Sequence, residues 1–223
     1  MTNAGARRAG RRPRVSREIV LRAALDLADR GGLEAVTMRD VGRAVGVEAM
    51  SLYRHVDDKD DVLSGIVDLV FTEIELPPGD MGWQAFMRER AIRARAVLTR
   101  HPWAIGLLDA QARPGPANLR HHDRVLGMLL QAGFSSPMAT HAYSLLDSYV
   151  YGFVLQERSL RVGTPDATAD SAEAILDQAS ADAYPNLVTV GRELVDSGFD
   201  YANEFEFGLE LILDGLYRVQ RTP

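Results

Sequence analysis

Between Thr37 and Val56 the chain changes helix once, and a single glycine makes the break. Met38, Val41, Ala44 and Val45 recur at steps of three and four, the period of an amphipathic helix. Thr37 stands at its start, with Asp40 three residues on in a position resembling a capping box. Gly46-Val47 forms a tight turn, and a short helix is predicted from about Ala49 to His55. Upstream, Ser16 caps a helix that carries Ile19, Val20, Ala23, Ala24, Leu27 and Ala28 on one face, and Gly31-Gly32 stops it. Three helices this short, the last two joined by a glycine turn, spell a helix-turn-helix.

The same period governs the rest of the chain. Asp57, Asp58, Lys59, Asp60 and Asp61 open a helix carrying Val62, Ile66, Leu69, Val70 and Ile74, which Pro77-Pro78 ends. The acidic run resembles a metal cluster, but capping and helix-dipole attraction explain carboxylates in a first turn more simply. Further helices are predicted from about Trp83 to Thr99, from Trp103 to about Ala112, from Leu119 to Ala132, and from Ser136 through Val154. The middle of the last of these is apolar on both faces, so it is buried on more than one side. Residues 161–185 shift to Ala, Asp, Ser and Thr and read as a connection with one short helix near Ala172 to Gln178. Another helix is expected from Leu187 to Val195. In the final segment Phe205, Phe207, Leu209 and Leu211 alternate as in a strand, yet Phe205, Leu209, Ile212, Leu216 and Val219 keep helical spacing. A lone strand would have no partner, so helix is the reading, and the expected fold is all-α. The expected parts are an arm over 1–15, a helix-turn-helix unit with its connecting helix over 16–76, and a larger helical unit over 77–223.

Net charge is −6, yet every ionisable residue before Glu18 is an arginine. A basic end on an acidic chain suits a local polyanion contact, because phosphate attraction follows the local field. A solvated tail is the alternative. With no cysteine in the sequence, disulfides, thiolate catalysis and thiolate metal sites are excluded. The basic start is not followed by the apolar stretch of a secretory signal, and no apolar run is long enough for a bilayer, so a cytoplasmic protein without membrane contact is expected.

In the third helix, Leu52 and Val56 lie one turn apart and are expected to face the small core. Met50, Ser51, Tyr53, Arg54 and His55 then project outward, on the side that enters a major groove in helix-turn-helix proteins. Arg54 has the fork that pairs with guanine, Ser51 can bond a base or phosphate, and Ala49 or Met50 can touch a thymine methyl. Tyr53, His55 and Lys59 suit phosphate contacts, with Thr37 and Arg39 adding to them from the second helix. The competing reading is a surface helix with no partner.

The run Thr37-Met-Arg-Asp-Val-Gly-Arg-Ala-Val-Gly-Val-Glu-Ala-Met-Ser-Leu-Tyr-Arg-His-Val, followed by Asp58-Lys59-Asp60-Asp61-Val62-Leu63, closely resembles the tetracycline-repressor (TetR) family. Its Leu-Tyr-x-His-Val block with a lysine just beyond is the family's DNA-binding signature. Trp83-Gln84-Ala85-Phe86, Ala112-Arg113-Pro114, Gly133-Phe134 and Gly152 extend the similarity to the tetracycline repressor's own branch. The resemblance implies an all-α homodimer, joined through the long helix near Tyr143 to Leu160 and the C-terminal helix from about Asn203 to Val219. Two long helices with extra apolar faces give that dimer a physical basis, and Gly152 would permit close approach. The implied partner is double-stranded, near-palindromic operator DNA.

The resemblance also implies a small-molecule effector held inside the larger unit. Candidate lining residues are Phe86, His101, Trp103, Leu107, Asp109, Tyr143, Asp147, Tyr151 and Gln156, although core packing or capping explains each one singly. Tetracycline-binding members carry a magnesium-coordinating histidine where this chain has Asp109. No cofactor or metal is expected, and adjacent His121 and His122 diverge on their helix. The sequence has no nucleophile elbow, phosphate loop, paired-histidine motif or dinucleotide fingerprint. The expected function is ligand-responsive transcriptional regulation, by default in such a family as a repressor released from its operator by the effector, with a small-molecule-transforming enzyme or an effector-independent architectural DNA-binding protein as the alternatives.

Overall fold

The computed structural model describes residues 15–108, 114–159 and 176–221, and every regular element among them is helical. They fall into two compact units, one ending at Ile66 and the other beginning at Val67. The division lies inside one helix, whereas the sequence suggested a border at 76.

The first unit holds α1 (Arg17–Gly31), α2 (Met38–Val45), α3 (Ala49–Leu52) and the start of α4 (Lys59–Glu73). The Ser16 hydroxyl accepts the Ile19 amide to start α1, and the Thr37 hydroxyl accepts the Asp40 amide to start α2. α2 stops at Gly46, whose φ of 76° and ψ of 32° are left-handed. A side chain is strained there, and glycine is not. α2 and α3 approach closely at Gly42, where a Cβ would sit 2.9 Å from the Val47 carbonyl oxygen. Val20, Ala24, Ala28, Val41, Leu52, Val56 and Val62 form this unit's core.

The acidic run acts as caps. Asp58 accepts the Asp61 amide at 2.7 Å, and Asp61 accepts the Asp57 amide at 2.9 Å. Arg17 grips the same Asp61 carboxylate with both guanidinium nitrogens at 2.6 Å, fastening the start of α1 to the first turn of α4.

The second unit contains the rest of α4 with α5 (Trp83–Arg100), α6 (Ile105–Leu108), α7 (Pro116–Gln131), α8 (Ser136–Ser159), α9 (Pro185–Ser197) and α10 (Tyr201–Gln220). A 3₁₀ turn, Pro102–Ala104, follows α5 and leads into α6, so the helix expected from Trp103 starts as 3₁₀ and becomes α-helical at Ile105, and its expected end near Ala112 lies outside the described residues. α5 packs on α7, α8 and α10, so its buried stripe of Phe86, Met87, Ala91, Ala94, Val97 and Leu98 is enclosed on several sides. α8 packs on α10 through aromatic rings: Tyr149 stacks on Phe205 at 5.5 Å and Phe153 on Tyr201 at 4.9 Å. The C-terminal segment is the helix the spacing favoured. Phe205, Leu209, Leu213 and Leu216 form its buried face, while Phe207 and Leu211 are exposed. The strand-like alternation therefore came from two apolar faces of one helix.

Candidate nucleic-acid interface and interior polar site

The helix-turn-helix face is built around two anchors. Leu52 is 0% and Val56 2% exposed, each stabilising the unit by roughly 1.5–3 kcal/mol through burial. With those anchors inward, Met50 at 77% and Tyr53 at 46% exposure stand outward. Arg39, Arg54 and Lys59 are exposed beside them, and Ala49, Ser51 and His55 are half-buried. Regular helix ends at Leu52 rather than His55. The Leu52 carbonyl then accepts both the His55 and Val56 amides, at 2.8 and 3.1 Å, which tightens residues 53–55 into a turn. Thr37 plays a different part from the other candidates. Its hydroxyl donates to Asp40 at 2.6 Å, so in this arrangement it holds α2 and offers a phosphate no free proton. Asp40 also takes Arg43 at 2.5 Å, and the Thr37 hydrogen bond, aided by Arg43, holds its carboxyl below the usual carboxylate range. Arg39 and Arg54 are both exposed on this surface, and the charge of Arg39 also helps to hold the Asp40 carboxyl down. The arm over 1–15 lies almost wholly outside the described residues.

In the second unit, the sequence-predicted ligand residues divide into groups. Tyr143, Asp147 and Tyr151 stand at four-residue steps on one face of α8, and the structure brings them together around a residue the sequence reading passed over. Arg90 of α5 is buried among them and donates through Nη2 to Asp147 at 2.6 Å and through Nε to His121 at 3.0 Å. Tyr151 donates to the other Asp147 oxygen at 3.1 Å, and the Arg90 guanidinium lies 5.3 Å from the centre of the Tyr143 ring.

The two adjacent histidines diverge as helix geometry requires. His121 turns to Arg90, while His122 Nδ1 donates to the Asn118 carbonyl at 2.9 Å and its Nε2 accepts the Tyr143 hydroxyl. Burial first, then the charge of Arg90, pushes the His121 imidazole down to about 3, so it is neutral at ordinary pH. Burial and the nearby Asp147 carboxylate push the Tyr143 phenol well above its usual range, and it stays protonated. Burial is the strongest single influence on Arg90 and opposes its charge, but Asp147, Tyr143 and Tyr151 together raise the guanidinium pKa. The result is one buried ion pair with neutral donors and acceptors around it.

The remaining ligand candidates lie elsewhere. Phe86 is fully buried one turn before Arg90. His101 and Trp103 meet edge to face at 6.1 Å at the end of α5, where His101 also lies 3.2 Å from Glu73. Leu107 is half-buried on α6. Gln156 is exposed and accepts a hydrogen bond from Tyr201. Asp109 lies outside the described residues. A cleft of about 570 Å³ opens beside the polar cluster, lined by Phe71, Ile74, Leu76, Ala117, His121 and Arg124, among others. His121 therefore belongs both to the cluster and to the cleft wall.

Arg90 and His121 carried a readable signal. Arg90 sits in the buried stripe of α5, and His121 stands at four-residue steps from Ala117, Val125 and Leu129, all buried. A polar residue in phase with an apolar stripe must find partners inside the protein. Which partners it finds depends on how the helices pack.

Comparison with known proteins finds matches in both parts of the chain. Residues 20–66 match the family described as bacterial regulatory proteins, tetR family, and residues 76–220 match the tetracyclin repressor-like C-terminal domain. The HTH-type transcriptional repressor DrrR1 of Streptomyces coeruleorubidus is 32% identical over 216 residues, covering 93% of this chain and 79% of that protein. Tetracycline repressor protein class C of Escherichia coli is 29% identical over 215 residues, covering 94% of each chain. The crystal structure of ActR, a TetR family protein of Streptomyces coelicolor, in complex with actinorhodin superposes with a TM-score of 0.78 at 27% identity, covering 94% of this chain and 100% of that one. With its helix-turn-helix unit and its larger helical unit both matched, the chain belongs to the TetR family of bacterial transcriptional regulators.

Proposed function

We infer that the protein is a homodimeric repressor that binds a near-palindromic operator and releases it when a small molecule enters the second unit. The observation that carries the DNA half is the inward seating of Leu52 and Val56, which turns Met50, Tyr53 and Arg54 to solvent. In this reading Arg54, Ser51, Ala49 and Met50 meet base edges, and Tyr53, His55, Lys59, Arg39 and Thr37 hold the phosphates. Thr37 does so by releasing Asp40 or by its place at the start of α2. The arginines of the 1–15 arm add attraction to the DNA backbone. Deleting residues 2–14 should weaken binding and flatten its salt dependence.

Dimerisation is supported by apolar surface left open on a single chain. Leu145 and Leu155 of α8 and Phe207 and Leu211 of α10 are exposed, and a Cβ on Gly152 would meet nothing within 4 Å. A second copy laid across these helices covers that surface. Two-fold symmetry would then present paired recognition segments roughly 34–36 Å apart, one turn of DNA.

The effector half is supported by the buried polar cluster on α5, α7 and α8, a mix of apolar wall and few polar groups that suits a small molecule. ActR, solved with actinorhodin, offers a precedent at the level of the family. Coupling runs through α4, whose second half is fastened at two points. Asp68 accepts the Asn118 amide at 2.9 Å, and Glu73 takes Arg100 at 2.6 Å. A ligand that shifts those fastenings changes the spacing of the recognition segments, and a coupling of about 1–3 kcal/mol is enough for a switch.

Gel-shift titration against the DNA upstream of the protein's own gene, with and without small molecules, tests the reading. Sequence-specific retardation released by a small molecule supports it. Equal retardation of any DNA would make the protein architectural, and no retardation at all would remove the DNA half.

A further inference from the structure

Two hydrogen-bond donors inside the second unit are buried without an acceptor. Arg90 Nη1 and His121 Nδ1 have no hydrogen-bond partner among the described residues. Their residues are only 2% and 4% exposed. The bond between them fixes what each can do. Arg90 Nε–H donates to His121 Nε2, and a guanidinium has no acceptor to offer in return. His121 Nε2 therefore holds a lone pair, and the neutral ring carries its hydrogen on Nδ1. Both orphan atoms are donors. Proteins rarely leave buried donors unpaired, and those that persist call for an explanation.

We propose that Arg90 Nη1 and His121 Nδ1 are the recognition point for the effector, and that they receive uncharged carbonyl oxygen carried on a largely apolar skeleton. The proposal rests on the effector-responsive reading above and narrows the class of molecule that can fill the site. Charge decides between kinds of ligand. Arg90 is already neutralised by Asp147 at 2.6 Å, and the Tyr143 phenol stays protonated. An anionic ligand would add a second negative charge beside Asp147 in a water-poor interior, which burial penalises heavily. An ammonium group would set donors against donors. A ketone, quinone or amide oxygen satisfies the donors and leaves the charge balance as it is. Rings already frame the cluster, with Phe71 edge to face on His121 at 5.3 Å and Tyr143 beneath Arg90. The cleft that His121 helps to line gives a route toward it.

Four probes on one skeleton test this in the full-length protein: menadione, naphthalene, naphthoate and naphthylmethylammonium. Side-chain NMR of the His121 ring and the Arg90 guanidinium follows each titration. The expected result is a His121 Nδ1–H tautomer at neutral pH and binding of menadione at least about 10-fold tighter than the other three. In the double variant Arg90→Leu/Asp147→Leu, which removes both charges together, that preference should vanish. Circular dichroism confirms that the variant is folded. A His121 hydrogen on Nε2 would overturn the proposal. So would naphthalene or naphthoate binding as tightly as menadione, a preference that survives the double variant, or no binding by any probe. Operator release in the gel shift keeps the two readings apart. Release by a compound that leaves the Arg90 and His121 signals unmoved removes this seat but not the regulator, whereas carbonyl binding that never affects DNA removes effector control but not the seat.

Discussion

Asp147→Ala isolates the role of the buried ion pair. It strips Arg90 of its counter-ion at 2.6 Å and leaves the guanidinium, 2% exposed, with His121 as its remaining hydrogen-bond partner. Removing one member of a buried pair leaves an uncompensated charge and costs about 3–5 kcal/mol. The lost Tyr151 hydrogen bond adds about 1 kcal/mol. In a chain of 223 residues each kcal/mol lowers the melting temperature by roughly 2–4 °C, so a fall of the order of 10 °C is expected. Replacing both partners, as in Arg90→Met/Asp147→Leu, removes the stranded charge and should recover most of that loss, because a buried pair is worth little against apolar packing of similar volume. Thermal unfolding at fixed protein concentration measures the cycle. If Asp147→Ala unfolds within about 1 kcal/mol of the wild type, Arg90 is not the enclosed, paired charge described above.

Three further outcomes follow from particular residues. Gly42→Ala places a Cβ 2.9 Å from the Val47 oxygen and 3.2 Å from the Ala49 nitrogen, both backbone atoms. Overpacking of about 1–3 kcal/mol should outweigh the roughly 1 kcal/mol gained in helix propensity, lowering both melting temperature and operator affinity; a rise in melting temperature would refute the close approach. His121 is depressed to about 3 in the folded protein, so between that value and the ordinary histidine value of 6.5 the unfolded chain binds the extra proton. Stability should therefore fall as pH drops through this window, by up to about 1.4 kcal/mol per unit, and His121→Leu should flatten the slope in urea titrations. Leu211→Glu, on an exposed site of α10, should convert a dimer to a monomer in analytical ultracentrifugation, and an unchanged dimer would move the interface elsewhere.

Much of the fold was legible because helix period and caps act locally. Ser16, Thr37 and Gly46 mark helix ends where their side chains or φ angles require, and the buried stripe of α1 follows the predicted spacing. The last helix was harder because its two apolar faces imitate a strand, and only packing separates buried Phe205 and Leu209 from exposed Phe207 and Leu211. The outward side of α3 could be read from Leu52 and Val56 alone. The interior site was read only in part. Tyr143, Asp147 and Tyr151 share a face by spacing, but their meeting with Arg90 and His121 depends on how α5, α7 and α8 pack, which period does not encode. Thr37 shows the same limit on a smaller scale, since a cap residue's free valence depends on whether its neighbour, here Asp40, takes the proton.

The proposed regulator meets the major groove with the outer side of the Ala49–Val56 segment. Fluorescence anisotropy with labelled operator duplex tests it in the variant Tyr53→Ala/Arg54→Ala, whose side chains are exposed and can be removed without opening the core. Loss of one bidentate base contact and one phosphate contact predicts affinity about 100-fold weaker. A folded variant that holds the operator within about twofold of the wild type would contradict the account, since even one lost base contact costs more than that.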